Sequence, residues 1–184
     1  MFKKNTLSLS PLALLLLSAV VLSPLARAAD STADSKEVSD LLALAKKQAG
    51  SIKDDASEIE SLTRSSLSWD SQTEKINAFS SDVAKFEATV SKLKQASSTA
   101  SSWQRTAIDR INPLLQELAY NTSFIVGHLE KEGGRFLNNP QHRDLLKTNR
   151  DVAADMSSVI SDFVDYGTAR AKFEKLSQIE ISKL

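Results

Sequence analysis

Three side chains after residue 28 offer an imidazole or soft sulfur ligand to a metal or haem: His128, His142 and Met156. A helical bundle can hold haem through His and Met, or two metal ions through inward Glu and Glu-x-x-His pairs. No Glu-x-x-His occurs in the chain. Met156 falls in mid-helix on an apolar stripe, more than three turns after His142. His128 lies near the same turn as His142, so neither imidazole is expected to reach the sulfur. Met156 reads as core packing, and no metal or cofactor is expected.

Asp162 and Asp165 are spaced three apart, and paired carboxylates can do acid–base work when burial splits their pKa values. Nothing in the sequence buries both, and Lys172 and Lys175 downstream read as solvated charge partners. The chain has no nucleophile elbow, P-loop, dinucleotide fingerprint or zinc motif. It has no cysteine, which excludes disulfides, thiolate zinc sites, a catalytic thiol and covalent haem attachment. The expectation is therefore a protein that is not an enzyme.

Binding residues are a better prospect. Trp69, Arg135, Phe136 and Leu137 form a candidate partner-binding tip, with Leu67, His128, His142 and Arg143 near it, because aromatic and Arg side chains anchor interfaces. The competing and favoured reading is that the apolar members close one end of a core. Thr122, Asn149 and Arg170 interrupt apolar stripes; they line a polar pocket, fix helix register, or sit at a stripe's edge. Asn121-Thr-Ser123 matches a glycosylation acceptor but falls in mid-helix.

The elements that must position these residues are helices. Val38, Leu41, Ala45, Ala49, Ile52, Ala56, Ile59 and Leu62 recur at steps of three and four, as one helical face requires. Similar stripes run from Thr73 to Leu93, from Trp103 to Leu129, and from Leu145 to Leu176. Asp34 with Glu37, Ser71 with Glu74 and Ser101 with Gln104 have capping-box spacing. Gly133-Gly134 ends the third stripe, and Asn139-Pro140 opens the fourth. The spacing predicts helices over about 34–66, 71–97, 101–132 and 140–180, with a kink at Pro113 and a bend at Gly167. Short connections force neighbours antiparallel. The expected fold is all-α: an antiparallel up-down-up-down four-helix bundle with coiled-coil-like packing, forming one domain over residues 29–184. The second choice is an extended helical hairpin that completes its core by dimerising. Serine is frequent, 27 of 184 residues, and is a mediocre helix former, so these helices must depend on packing.

Residues 1–28 read as a signal peptide. Lys3 and Lys4 precede an apolar run from Leu12 to Leu22, and Ala26-Arg27-Ala28 fits a cleavage site. The run is about half the ~20 residues a membrane-spanning helix needs; the alternative is an uncleaved N-terminal anchor. This segment holds Lys3, Lys4 and Arg27 and no acid, so the remainder is mildly acidic although the whole chain is neutral. A mildly acidic domain without a basic stripe is a poor nucleic-acid binder. The expectation is an exported protein, periplasmic or extracellular, monomeric or homodimeric, acting by protein binding or structural association in the cell envelope. A small-ligand or cofactor-binding bundle and a membrane-tethered helical protein are the alternatives.

Overall fold

A computed structural model describes residues 33–64, 68–133, 136 and 139–181. Four helices account for nearly all of them: α1 (Lys36–Leu62), α2 (Trp69–Gln95), α3 (Ser102–Glu132) and α4 (Pro140–Ile181), with a 3₁₀ turn at Ala96–Thr99 between α2 and α3. The described residues contain no strand.

Each helix packs on two neighbours: α1 on α2 and α4, and α3 on α2 and α4. The ring closes around one apolar core. The stripes read from the sequence line most of it, through Ala49 and Ile52 of α1, Ile76 and Phe86 of α2, Ile111 and Leu118 of α3, and Met156 of α4. The core takes Leu42, Leu146 and Ile160, however, where the stripes had Leu41, Leu145 and Val159, which are only half-buried. Burying a Leu, Ile, Phe or Met side chain of this kind contributes about 1.5–3 kcal/mol.

Cross-helix pairs fix the directions. The carboxylate of Glu58, late in α1, meets Lys75, early in α2. Glu60, late in α1, lies 3.5 Å from Arg150 in the first half of α4, whereas Lys46 pairs with Asp165 further along α4 at 2.7 Å. Neighbouring helices are thus antiparallel at these contacts. Serine fits inside the helices by bonding back one turn: the Ser57 hydroxyl donates to the Lys53 carbonyl at 2.8 Å, and Thr148 does the same to Asp144.

The helix starts differ from the capping-box reading. The N-cap of α1 is Ser35, whose Oγ accepts from the Val38 N–H; Asp34 instead accepts the indole N–H of Trp103 at 2.7 Å. The N-cap of α2 is Ser68, accepting from the Ser71 N–H, so that helix starts before Ser71. Gln104 does accept the Ser101 N–H at 2.9 Å. α3 ends at Gly133, whose φ of 56° suits glycine.

The helices expected to kink at Pro113 and bend at Gly167 each run on as one element, as their expected ranges had it. α3 passes through Pro113, and α4 passes through Gly167 to Ile181. At Gly167 the reason for glycine is space: a Cβ there would lie 2.5 Å from the Trp103 ring. Beyond Gly167, α4 leaves the bundle with Phe173, Leu176 and Ile181 exposed.

Candidate functional site: an aromatic groove between α3 and α4

The start of α3 is held by a buried amide. Gln104 is fully buried, and its Nε2 donates to the Ser35 carbonyl at 2.9 Å and to the Ser39 hydroxyl at 2.9 Å. Its Oε1 accepts the Ser35 N–H at 3.0 Å as well as that of Ser101. One side chain therefore ties the first residues of α1 and α3 together, with each amide atom bonded twice.

Trp103, one residue earlier, is oriented by this clamp. Its Nε1–H donates to Asp34, its ring lies over Gly167, and the Tyr166 ring meets it edge-on with centroids 5.6 Å apart at 71°. Edge-to-face aromatic pairs of this geometry are worth about 0.5–1.5 kcal/mol beyond the area they bury. Phe163 packs against the core beside them, whereas Tyr166 stays half exposed. A cleft of about 430 Å³ opens between the two helices, floored by Trp103, Phe163 and Tyr166 and edged by Thr106, Arg110 and Asp162. A second cleft of about 380 Å³ shares Arg110 and Val159 with it and continues to Pro113, Leu114 and Asp155. Together they form one trough along the α3/α4 seam. Trp103 to Pro113 spans ten residues of helix, about 15 Å.

The candidate tip lies at the opposite end. Phe136 is fully buried and stacks on His142, centroids 4.2 Å apart and 11° between planes. As placed, it closes the core and presents no surface to a partner. Trp69 is half-buried against the core; Arg135, Leu137 and Leu67 lie outside the described residues. His142 is buried, its Nδ1 3.1 Å from the Phe136 carbonyl and 3.5 Å from Glu132. His128 stacks on Phe124. Met156 is fully buried in the core. No group of three or more His, Cys, Asp or Glu among the described residues is placed to hold a metal ion.

Other polar residues separate by role. Asn149 Nδ2 donates to the Thr122 hydroxyl at 3.2 Å, and both residues are buried. Arg170 lies at the molecule's end, bonded to Glu174 and 3.8 Å from Asp34. Asp165 pairs with Lys46, while Asp162 edges the groove. Asn121 of the glycosylation match is buried inside α3.

Away from the groove, two carboxylates on α1 are shifted in opposite directions. Glu60 is held below the usual range, chiefly by its hydrogen bond from Arg64, with Arg64 and Arg150 adding favourable charge against the effect of burial. Asp55 is pushed up, first by burial and then by Asp82, Glu58 and Asp54.

The groove was missed as a unit in the sequence, although its spacing is there. Trp103, Thr106 and Arg110 recur at three and four on α3, as do Val159, Asp162 or Phe163, and Tyr166 on α4. Each set mixes core and rim positions, which hides the flank that faces the seam. Comparison with protein-family models, curated proteins and solved structures returned no match.

Proposed function

We propose that this protein is an exported, non-enzymatic four-helix bundle with up-down-up-down, left-handed coiled-coil-like packing, working in the cell envelope by holding an extended segment of a partner protein in the α3/α4 groove. The observation that carries the reading is the continuity of the two clefts through Arg110 and Val159. An open trough about 15 Å long accommodates four or five residues of extended chain at about 3.3 Å each. Small-molecule sites, by contrast, enclose most of their ligand. Trp, Tyr and Arg are the side chains that most often carry interface energy; Arg110 stands where the two clefts join, and Trp103 and Tyr166 stand at one end of the trough. An apolar or aromatic residue of the partner would sit there, with its backbone running toward Pro113. Export is supported by the composition of Met1–Ala28.

Photo-crosslinking in the protein's own cells tests this. A crosslinker in place of Arg110 or Tyr166 is expected to capture one envelope protein through a single short segment, and a crosslinker at exposed Glu87 of α2 is not. A synthetic peptide of that segment should bind the purified protein, and Tyr166→Ala should weaken it about tenfold or more. Equal capture at all three positions would overturn the groove reading. A small-molecule mass retained at the groove would replace it with the ligand-binding alternative. An N-terminus at Ala29 in the envelope fraction is the expected result for export; an intact N-terminus held in the membrane would count for the tethered form.

A further inference from the structure

The end of α4 is a helix without a bundle around it. Arg170 still reaches Asp34 of α1. From Ala171 to Ile181 every residue is exposed except Ser177, which is half-buried. That is eleven residues of helix, about 16 Å, and an isolated helix this short is marginal in water. It nevertheless presents large apolar side chains: Phe173 is 69% exposed, Leu176 56% and Ile179 43%.

The pattern around Leu176 says what covers it. On a helix the surface neighbours of any residue are three and four positions away. For Leu176 these are Phe173 and Lys172 on one side, Ile179 and Glu180 on the other. Both apolar neighbours are three away, and the two charges, of opposite sign, are four away. Pairing a second copy antiparallel about Leu176 sets the two Leu176 side chains together and brings Lys172 level with Glu180 of the second copy, the charge pair occurring twice. A parallel pairing would face Lys172 with Lys172 and Glu180 with Glu180.

We infer that this surface is a self-association site, at which the α4 ends of two copies pair antiparallel about Leu176. The contact is isologous, so it closes at two copies. Three apolar side chains from each copy make a patch well below the ~1,600 Å² of a standard interface, so the dimer is weak and forms with rising concentration. The groove lies on the α3/α4 seam and plays no part in the pairing, so the two readings stand or fall separately.

Sedimentation velocity on the chain as its own cells process it, over a micromolar to submillimolar range, tests the inference. A reversible monomer–dimer equilibrium is expected. Leu176→Asp should leave a monomer throughout with unchanged circular dichroism, since the residue touches no core. Lys172→Glu and Glu180→Lys should each raise the dissociation constant roughly tenfold, and the double exchange should restore it. A wild-type monomer at every concentration overturns the proposal, and binding of that monomer to anionic vesicles would assign the face to a lipid surface instead. A dimer indifferent to Leu176→Asp, or a double exchange that fails to restore pairing, overturns it equally, because the copies would then meet elsewhere.

Discussion

Two glycines inside helices make opposite predictions because their surroundings differ. Gly50 in α1 has nothing within 4 Å of where a Cβ would stand. Gly50→Ala should therefore recover helix propensity and stabilise the protein by about 1 kcal/mol, seen as a rise in the thermal midpoint. Gly167→Ala gains the same propensity but sets a methyl 2.5 Å from the Trp103 ring. Overpacking of this kind costs about 1–3 kcal/mol, so the net effect should be a loss, with indole fluorescence shifting to the red as Trp103 is displaced. The same contrast applies to charge. Glu60, with its folded pKa depressed, contributes stability that is complete above the ordinary carboxylate range and lost as pH falls through the folded value. Asp55, with its folded pKa raised, does the reverse: its burden on the fold appears as pH climbs from the ordinary value through the raised one. Asp55→Asn should accordingly stabilise the protein at pH 7 and have no effect below the ordinary aspartate range. Urea unfolding at two pH values checks both halves.

At the scale of the helix, the periodic stripes were legible because burial here follows the helical period: Val38, Ala45, Ile52 and Ile59 are all buried. Their ends were less legible. Asp34 and Ser35 both have capping chemistry; Ser35 takes the cap, while Asp34 accepts the indole N–H of Trp103, 69 residues away. No local pattern contains that fact. Gln104 was read as half of a capping box, yet its larger role is to clamp α1 to α3. The groove suffers the same limit, since it exists only where two flanks meet. Pro113 gives the element-scale prediction. It is exposed inside α3, lacks an N–H to bond one turn back, and lines the groove's far half. Pro113→Ala should stabilise α3 by about 1–3 kcal/mol and weaken groove binding by removing the ring that lines the far half. A variant with a higher melting midpoint and unchanged peptide affinity would show that the proline does not shape the site.

Across the whole molecule, four stripes and short connections were enough to anticipate an all-helical protein of four helices, because a bundle is the simplest way to bury four such faces. What they do not specify is how far each helix slides along its neighbour. Leu, Ile, Val and Ala pack acceptably in several registers, and hydrogen bonds discriminate where shape does not. The buried pair Thr122 and Asn149 is placed to do this between α3 and α4. Thr122 Oγ1 donates to the Leu118 carbonyl at 2.7 Å and accepts from Asn149, whose Oδ1 is buried with no hydrogen-bond partner. A slide of one turn, about 5.4 Å, would break this bond and leave two polar groups in the core, each costing about 1–3 kcal/mol. Thr122→Val alone should therefore destabilise by about that amount, since it strands the Asn149 amide. The double variant Thr122→Val with Asn149→Leu removes both polar groups and should unfold at or above the wild-type midpoint. It also removes the penalty on sliding, so the amide resonances of α3 and α4 should broaden or double although the helix content is unchanged. One sharp set of resonances in that variant would mean that the apolar packing alone holds the register, and that the polar pair is a cost the fold carries for another reason.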